Sequence, residues 1–311
     1  MAQLRKVFQE DFEFIRPLLL RFADSGFSEE KWKKLFQHYW SSTEEHIGYM
    51  LVDNDSAVGF IGTIYSVRKI KGVSHKICNL TSWIVLPDYR SESLLLLQQI
   101  LKNKEYTITS FTSIPSAVKI LARFGFRELD SHYYWYTPNN KNGSKNKIAC
   151  ITETIAIEKM LSDEEKKIFH DHIAFHANHY VFTDDQSYCY IITRKRNTSL
   201  RSLISNRYIN YADFILRKMS GLSFLEKKRS LAHLCYFSNA DFLFKNIEIV
   251  NKKISNYLHV SGLLVDARVA PARKRLNRHK TCPRISLYRP AGLKSSEIDS
   301  LYSEFFILDL Q

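Results

Sequence analysis

The stretch Val85-Leu86-Pro87-Asp88-Tyr89-Arg90-Ser91-Glu92-Ser93-Leu94-Leu95 sets an arginine and a run of backbone amides where an apolar strand meets a leucine-rich helix. The first N–H groups of a helix lack partners within it, and the helix dipole favours negative charge at that end. A pyrophosphate fits such a junction, so the amides from Arg90 to Leu95 are the first candidate binding site. Cys78, Thr81 and Ser82 lie on the strand leading into it and are candidate catalytic or substrate-contacting residues, with sheet packing as the competing role for each. His172, His176 and His179 share one face if their segment is a helix, a spacing that can hold a metal. No carboxylate or cysteine sits at a telling offset, so a surface histidine cluster is expected and no metal is assigned. The Arg-rich stretch from Ala267 to Arg284 contains two prolines and reads as a loop, either solvated or closing on an anionic substrate.

The elements that position these residues follow from periodicity. Residues 10–40 read as two helices, the first interrupted by Pro17, the second opened by Ser28 and faced by Trp32, Leu35, Phe36 and Trp40. IGYMLVDND and AVGFIGTIYSVRKI read as a hairpin, and HKICNLTSWIVLP as a further strand. RSESLLLLQQILKNK is a helix, YTITSFTS a strand, IPSAVKILARFGF a helix closed by Gly125, and FRELDSHYYWYTP a strand. Strands alternate with helices, so the class is α/β with a mixed sheet. The polar run Pro138–Lys147 reads as a linker between residues 1–137 and 148–311. The second half repeats the order loosely. It has a helix through HDHIAFHANH, strands SYCYIITRK, SLAHLCYFS and LHVSGLLVDARVA, and helices ADFLFKNIEIVNKKI and SEIDSLYSEFF, with a last strand ILDL. It reads as a second, degenerate copy of the first fold.

Val85-Leu86-Pro87-Asp88-Tyr89-Arg90 resembles the V-x-P-x-x-R core of the GNAT (Gcn5-related N-acetyltransferase) superfamily. Ala117, Phe124, Gly125 and Phe126 match that family's second signature, a helix ending in Gly-Phe. The resemblance covers roughly Val7 to Tyr136. It implies a mixed sheet flanked by helices, in two tandem lobes of which the second is degenerate. It further implies an acyl-CoA, acetyl-CoA or another, with its pyrophosphate on Arg90, Ser91, Glu92, Ser93, Leu94 and Leu95. The pantetheine arm would run between strands ending near Val85 and Ser113, and the Ile84 or Val85 N–H would polarise the acyl carbonyl. Ser93 and Leu95 stand where the family has small residues, and the tyrosine that often protonates the leaving thiolate aligns with Leu121. Tyr302 sits where a second copy would carry its tyrosine; half-buried packing is its competing role. YRSESLLLL, LLVDAR and LYSE are also similar to GNAT-like proteins found among bacterial surface-polysaccharide genes.

Composition bounds the partners. The chain has 311 residues and net charge +13, spread along its length rather than held in a tail. That balance favours anionic partners without choosing among them. Nucleic acid is disfavoured, because no recognisable binding module or aromatic interleaving accompanies the charge. Five cysteines at wide spacing argue against a disulfide framework and for a reducing cytoplasm. No apolar run approaches a membrane span. Two function classes follow. One is an acyltransferase acting on the amine or hydroxyl of a small molecule, an amino sugar or a surface-polysaccharide precursor. The other is a non-catalytic CoA-binding or scaffold protein on the same fold.

Overall fold

Two-residue turns at positive φ set the first hairpins. Asn54 and Asp55 lie at 46° and 52° between β2 (Gly48–Asp53) and β3 (Ser56–Ile70). Lys71 and Gly72 lie at 53° and 80° between β3 and β4 (Val73–Val85). Such turns match the right-handed twist of antiparallel strands. The computed structural model describes residues 2–22, 26–130, 132–138, 147–199, 228–271, 278–280 and 285–310. The greater part of the expected linker and of the Arg-rich stretch lies outside the described residues.

The first sheet has the order β1-β2-β3-β4-β5-β14-β6. Its remaining strands are β1 (Gln3–Val7), β5 (Tyr106–Ser113), β6 (Arg127–Leu129) and β14 (Ile285–Arg289). The crossover from β4 to the parallel strand β5 runs through α3 (Ser93–Leu101), and α4 (Pro115–Arg123) links β5 to β6. Leu96, Leu97 and Ile100 of α3 and Leu121 of α4 bury one face against Leu51, Ile61, Cys78, Leu80 and Ile108. The helix α1 (Phe12–Leu19) packs on β3 and β4 through a stripe containing Phe12, Ile15, Leu18 and Leu19, with Pro17 inside it. The second expected helix shortens to α2 (Glu29–Lys33) and a 3-10 turn, Lys34–Phe36. The expected cap is present: the Ser28 side chain accepts from the Lys31 N–H.

The second sheet has the order β13-β7-β12-β11-β10-β9-β8. In chain order these are β7 (His132–Tyr136), β8 (Ala149–Ile151), β9 (Asn178–Thr183), β10 (Tyr188–Ser199), β11 (Lys228–Phe237), β12 (Leu263–Asp266) and β13 (Arg278–Lys280). Two helices, α5 (Thr154–Met160) and α6 (Asp163–His172), join β8 to β9. Between β11 and β12 lie α7 (Ala240–Lys245) and α8 (Ile247–Leu258). Their residues Phe242, Leu243, Ile247, Val250 and Ile254 close the second core.

Both sheets repeat one plan: antiparallel strands, then a parallel pair (β4–β5, β11–β12), then two further strands. In each, the strand beside the fifth comes from the other half of the sequence: β14 enters the first sheet and β7 the second. The contact units are accordingly Met1–Leu129 with Arg284–Leu310, and Asp130–Pro283. The division differs from the expected line at 138–147. FRELDSHYYWYTP is two strands in two sheets, because Tyr134 and Tyr136 pack into the second core while Leu129 joins the first unit.

Three further expectations are corrected. The histidine helix ends at His172, and His179 belongs to β9. The segment SEIDSLYSEFF is no continuous helix. A 3-10 turn, Ser295–Glu297, precedes α9 (Glu304–Ile307). Asp299 accepts from the Leu301 N–H and Ser303 from the Phe305 N–H, local bonds that compete with helix. ILDL forms the end of α9 and a turn instead of a strand.

Candidate functional site

The strands β4 and β5 are paired only from Lys76–Asn79 against Tyr106–Thr109. Beyond that point β4 stays with β3, where Gly59 faces Val85, and β5 stays with β14, where Ile285 faces Ser113. The two strands therefore part, leaving a wedge-shaped gap in the first sheet. A bulge lies on its β4 side: Ser82 has φ 50° and the register shifts between Phe60 and Gly62. The Leu86 N–H donates to the Val58 carbonyl at 2.9 Å. Antiparallel pairing alternates, so Ile84 faces β3 and the Val85 N–H faces the gap. Of the two expected amides, Val85 is the one so directed.

The chain then turns into six residues of 3-10 helix, Pro87–Glu92, which run directly into α3. Tyr89 N–H donates to Leu86 and Ser93 N–H to Arg90. The Ser93 amide is thus engaged within the helix instead of lying open as expected. Arg90 and Ser91 are exposed, Ser93 and Leu95 half-buried, and Leu94 is 36% exposed. Glu92 turns away from the junction: its carboxylate accepts from the Ala2 N–H at 3.0 Å. Tyr89 donates to Asp53 at 2.5 Å, and that carboxylate holds the phenol above its usual range. No side chain caps either helix start here. In the second unit the corresponding start, α7, is capped by Asn239, whose side chain accepts from the Phe242 N–H at 3.0 Å.

The other candidates fall as follows. Cys78 is fully buried in the first core, and burial pushes its thiol well above the ordinary range, so it serves packing. Thr81 and Ser82 share a hydrogen bond of 3.2 Å at the bulge. The Ser113 hydroxyl is bonded to that of Ser110 at 2.7 Å. Tyr302 belongs to the first unit instead of a second-copy helix. It is buried, with its ring edge-on to Trp40 at 5.0 Å, and it lines a small cavity with Arg68, Thr107, Thr109 and Asp299. Leu121, at the family's tyrosine position, is buried in the first core. Among the described residues no group of three metal-ligating side chains comes together.

Sequence reasoning missed a polar cluster where the strands part. Glu304 is 1% exposed, and its carboxylate accepts from Asn79 Nδ2 on β4 and, at 3.0 Å, from the Thr112 hydroxyl on β5. Thr109 donates to Asn79 Oδ1 at 3.0 Å. The only sequence signal was an asparagine inside the apolar run KICNLTSW; nothing in SEIDSLYSEFF announced its partner.

No protein-family profile and no curated protein matches the sequence. Solved structures do. A Gcn5-related N-acetyltransferase from Anabaena variabilis ATCC 29413 superposes with TM-score 0.52 at 11% identity, over 92% of this chain and 72% of that one. One from Kribbella flavida gives 0.52 at 10% identity, over 92% and 70%. A Gcn5-related glucosamine N-acetyltransferase region of a fungal multi-domain β-N-acetylglucosaminidase gives 0.50 at 12% identity, over 93% of this chain and 38% of that one. The chain has the fold of these acetyltransferases. Among the described residues no helix is long and apolar enough to cross a membrane.

Proposed function

We propose that a chain of this fold transfers an acyl group from an acyl-CoA to an amine or hydroxyl of a small acceptor, at the gap in its first sheet. The observation that carries this is the parting of β4 and β5 beside a bulge, with the Val85 N–H directed into the opening and an uncapped helix start at its mouth. The residues present fit an acyl-CoA. Arg90, the hydroxyls of Ser91 and Ser93 and the dipole of α3 would hold the pyrophosphate. The Val85 N–H would stabilise negative charge on the acyl oxygen. The thioester supplies an activated acyl carbon. The second unit is a poorer host, because Asn239 already satisfies an amide at the equivalent helix start. The acceptor we favour is an amino sugar or a surface-polysaccharide precursor; the glucosamine N-acetyltransferase region among the structural neighbours supports the first. A cytoplasmic location is proposed with it, consistent with Cys78, Cys150, Cys189 and Cys235 forming no disulfide among the described residues.

A non-catalytic CoA-binding role is the second reading, favoured by Leu121 in the tyrosine position and by Leu95 in the first turn of α3. Thiol release from acetyl-CoA separates the two. Calorimetry tests what they share: Arg90→Glu should weaken acetyl-CoA binding at least tenfold, about 1.4 kcal/mol or more. Its side chain is exposed, so folding should be unaffected by circular dichroism. Equal affinity in the two proteins would remove the pyrophosphate from this junction.

A further inference from the structure

We infer that the Glu304 side chain is a stop at the narrow end of the wedge, one that limits the donor to short acyl groups. The inference rests on the acyl-transfer reading above. Asn79 and Thr109 form the last pair between β4 and β5, so the wedge narrows toward them. Glu304 reaches this end from the last segment of the chain. Its side chain accepts from Asn79 Nδ2 on one wall and, at 3.0 Å, from the Thr112 hydroxyl on the other. Thr112 stands three residues beyond Thr109, roughly 10 Å along the strand, and beside Ser113, where β5 ends. The Glu304 side chain thus bridges the wedge to within one residue of its mouth on that wall. Only 1% of the residue is exposed, so it is packed in place. Thr109 orients the Asn79 amide toward it by donating to Oδ1 at 3.0 Å.

A donor anchored at the helix start presents its thioester to the Val85 N–H, and whatever follows the carbonyl runs on toward the narrow end. A hydrocarbon tail meets two obstacles there. The first is volume. The tail and the Glu304 side chain compete for one space, and shifting the side chain leaves buried polar groups on both walls without their partner. The second is the character of the walls. Beyond the last pair they carry the hydroxyls of Thr81 and Ser82 on β4 and of Ser110, Thr112 and Ser113 on β5. Methylenes laid against these groups shut them off from water and offer no hydrogen bond in return. An apolar tunnel gains about fourfold in affinity for each added methylene; this wedge should lose affinity instead. The stop works through size and two hydrogen bonds, so its charge is immaterial. A neutral amide in the same place meets both bonds, its oxygen accepting from Asn79 and its NH2 donating to the Thr112 oxygen.

Calorimetry on the full chain with CoA, acetyl-CoA, butyryl-CoA and octanoyl-CoA tests this without any acceptor. Butyryl-CoA should bind the parent at least tenfold more weakly than acetyl-CoA, and octanoyl-CoA more weakly still. Glu304→Ala empties the narrow end and should bring the Kd for butyryl-CoA to within about threefold of that for acetyl-CoA. Glu304→Gln keeps the volume and both bonds, and should keep the parent's discrimination. If Glu304→Ala does not fold, Thr112→Ala takes its place: it removes one anchor and widens the wedge, and should reduce the discrimination at least threefold. Three results would each overturn the inference and leave the acyl-transfer reading standing. They are affinity level or rising with chain length in the parent, unchanged discrimination in the folded alanine variant, and lost discrimination in folded Glu304→Gln. A chain that binds neither CoA nor acetyl-CoA overturns the acyl-transfer reading itself, and this inference with it.

Discussion

A neutral imidazole explains the hydrogen bonds around His46, which is 1% exposed. With its proton on Nδ1 the ring donates to Glu44, 3.3 Å away, and accepts from the Tyr65 hydroxyl, also at 3.3 Å. Burial, with Lys6 and His38 adding to it, pushes its pKa down to about 4. Glu44 alone would push the other way, but the burial decides for the neutral ring. Burial also lowers His179 to about 4 and His233 to about 3. As pH falls, the unfolded chain takes up these protons near 6.5 and the folded chain only below about 4. Stability should therefore be full above pH 6.5 and fall steadily between 6.5 and 4, by about 3 kcal/mol for His46 alone. Urea unfolding at pH 7 and pH 5 reads this directly, and His46→Gln should flatten the dependence. A parent equally stable at both pH values would mean these rings are not buried neutral. Single residues were unevenly legible. Pro87, Arg90 and Gly125 stood out by type and spacing, whereas His46 and Glu304 became significant only through partners far away in sequence.

Most elements of the first half could be read because they declare themselves locally. The turn Asn54-Asp55 marks the first hairpin, and α3 and α4 carry the apolar spacing of helices that cover a sheet. Strand β1 was missed because QLRKV is polar on its outer face and buries only Val7 fully. Strand β14 was missed because ISLYR follows a long basic stretch, and local pattern does not say which sheet a strand joins. Its placement makes a sharp prediction. Leu287 is 2% exposed and packs in the first core beside residues some two hundred positions earlier. Leu287→Ala should cost roughly 2–5 kcal/mol. Amide exchange should quicken in β5, β6 and α4, which belong to its unit, and hold in α7 and α8. Quickening confined to α7 and α8 would mean that β14 does not stabilise the first sheet.

At the scale of the whole molecule, the repeated order of helices and strands was legible and the exchange of strands was not. Periodicity reports which face of an element is apolar; it does not report pairing between segments at opposite ends of a chain. The exchange matters for the site, because the segment that follows β14 delivers Glu304 to the gap between β4 and β5. The two sheets share one plan, but among the described residues only the first combines a gap after its fourth strand with an uncapped start of the helix that follows that strand. Hydrogen exchange with and without acetyl-CoA tests that assignment most directly. Binding at the first gap predicts slower exchange in peptides covering residues 81–96 and 109–115, and no change across residues 233–247. Protection across 233–247 instead, or no protection anywhere at millimolar acetyl-CoA, would contradict it.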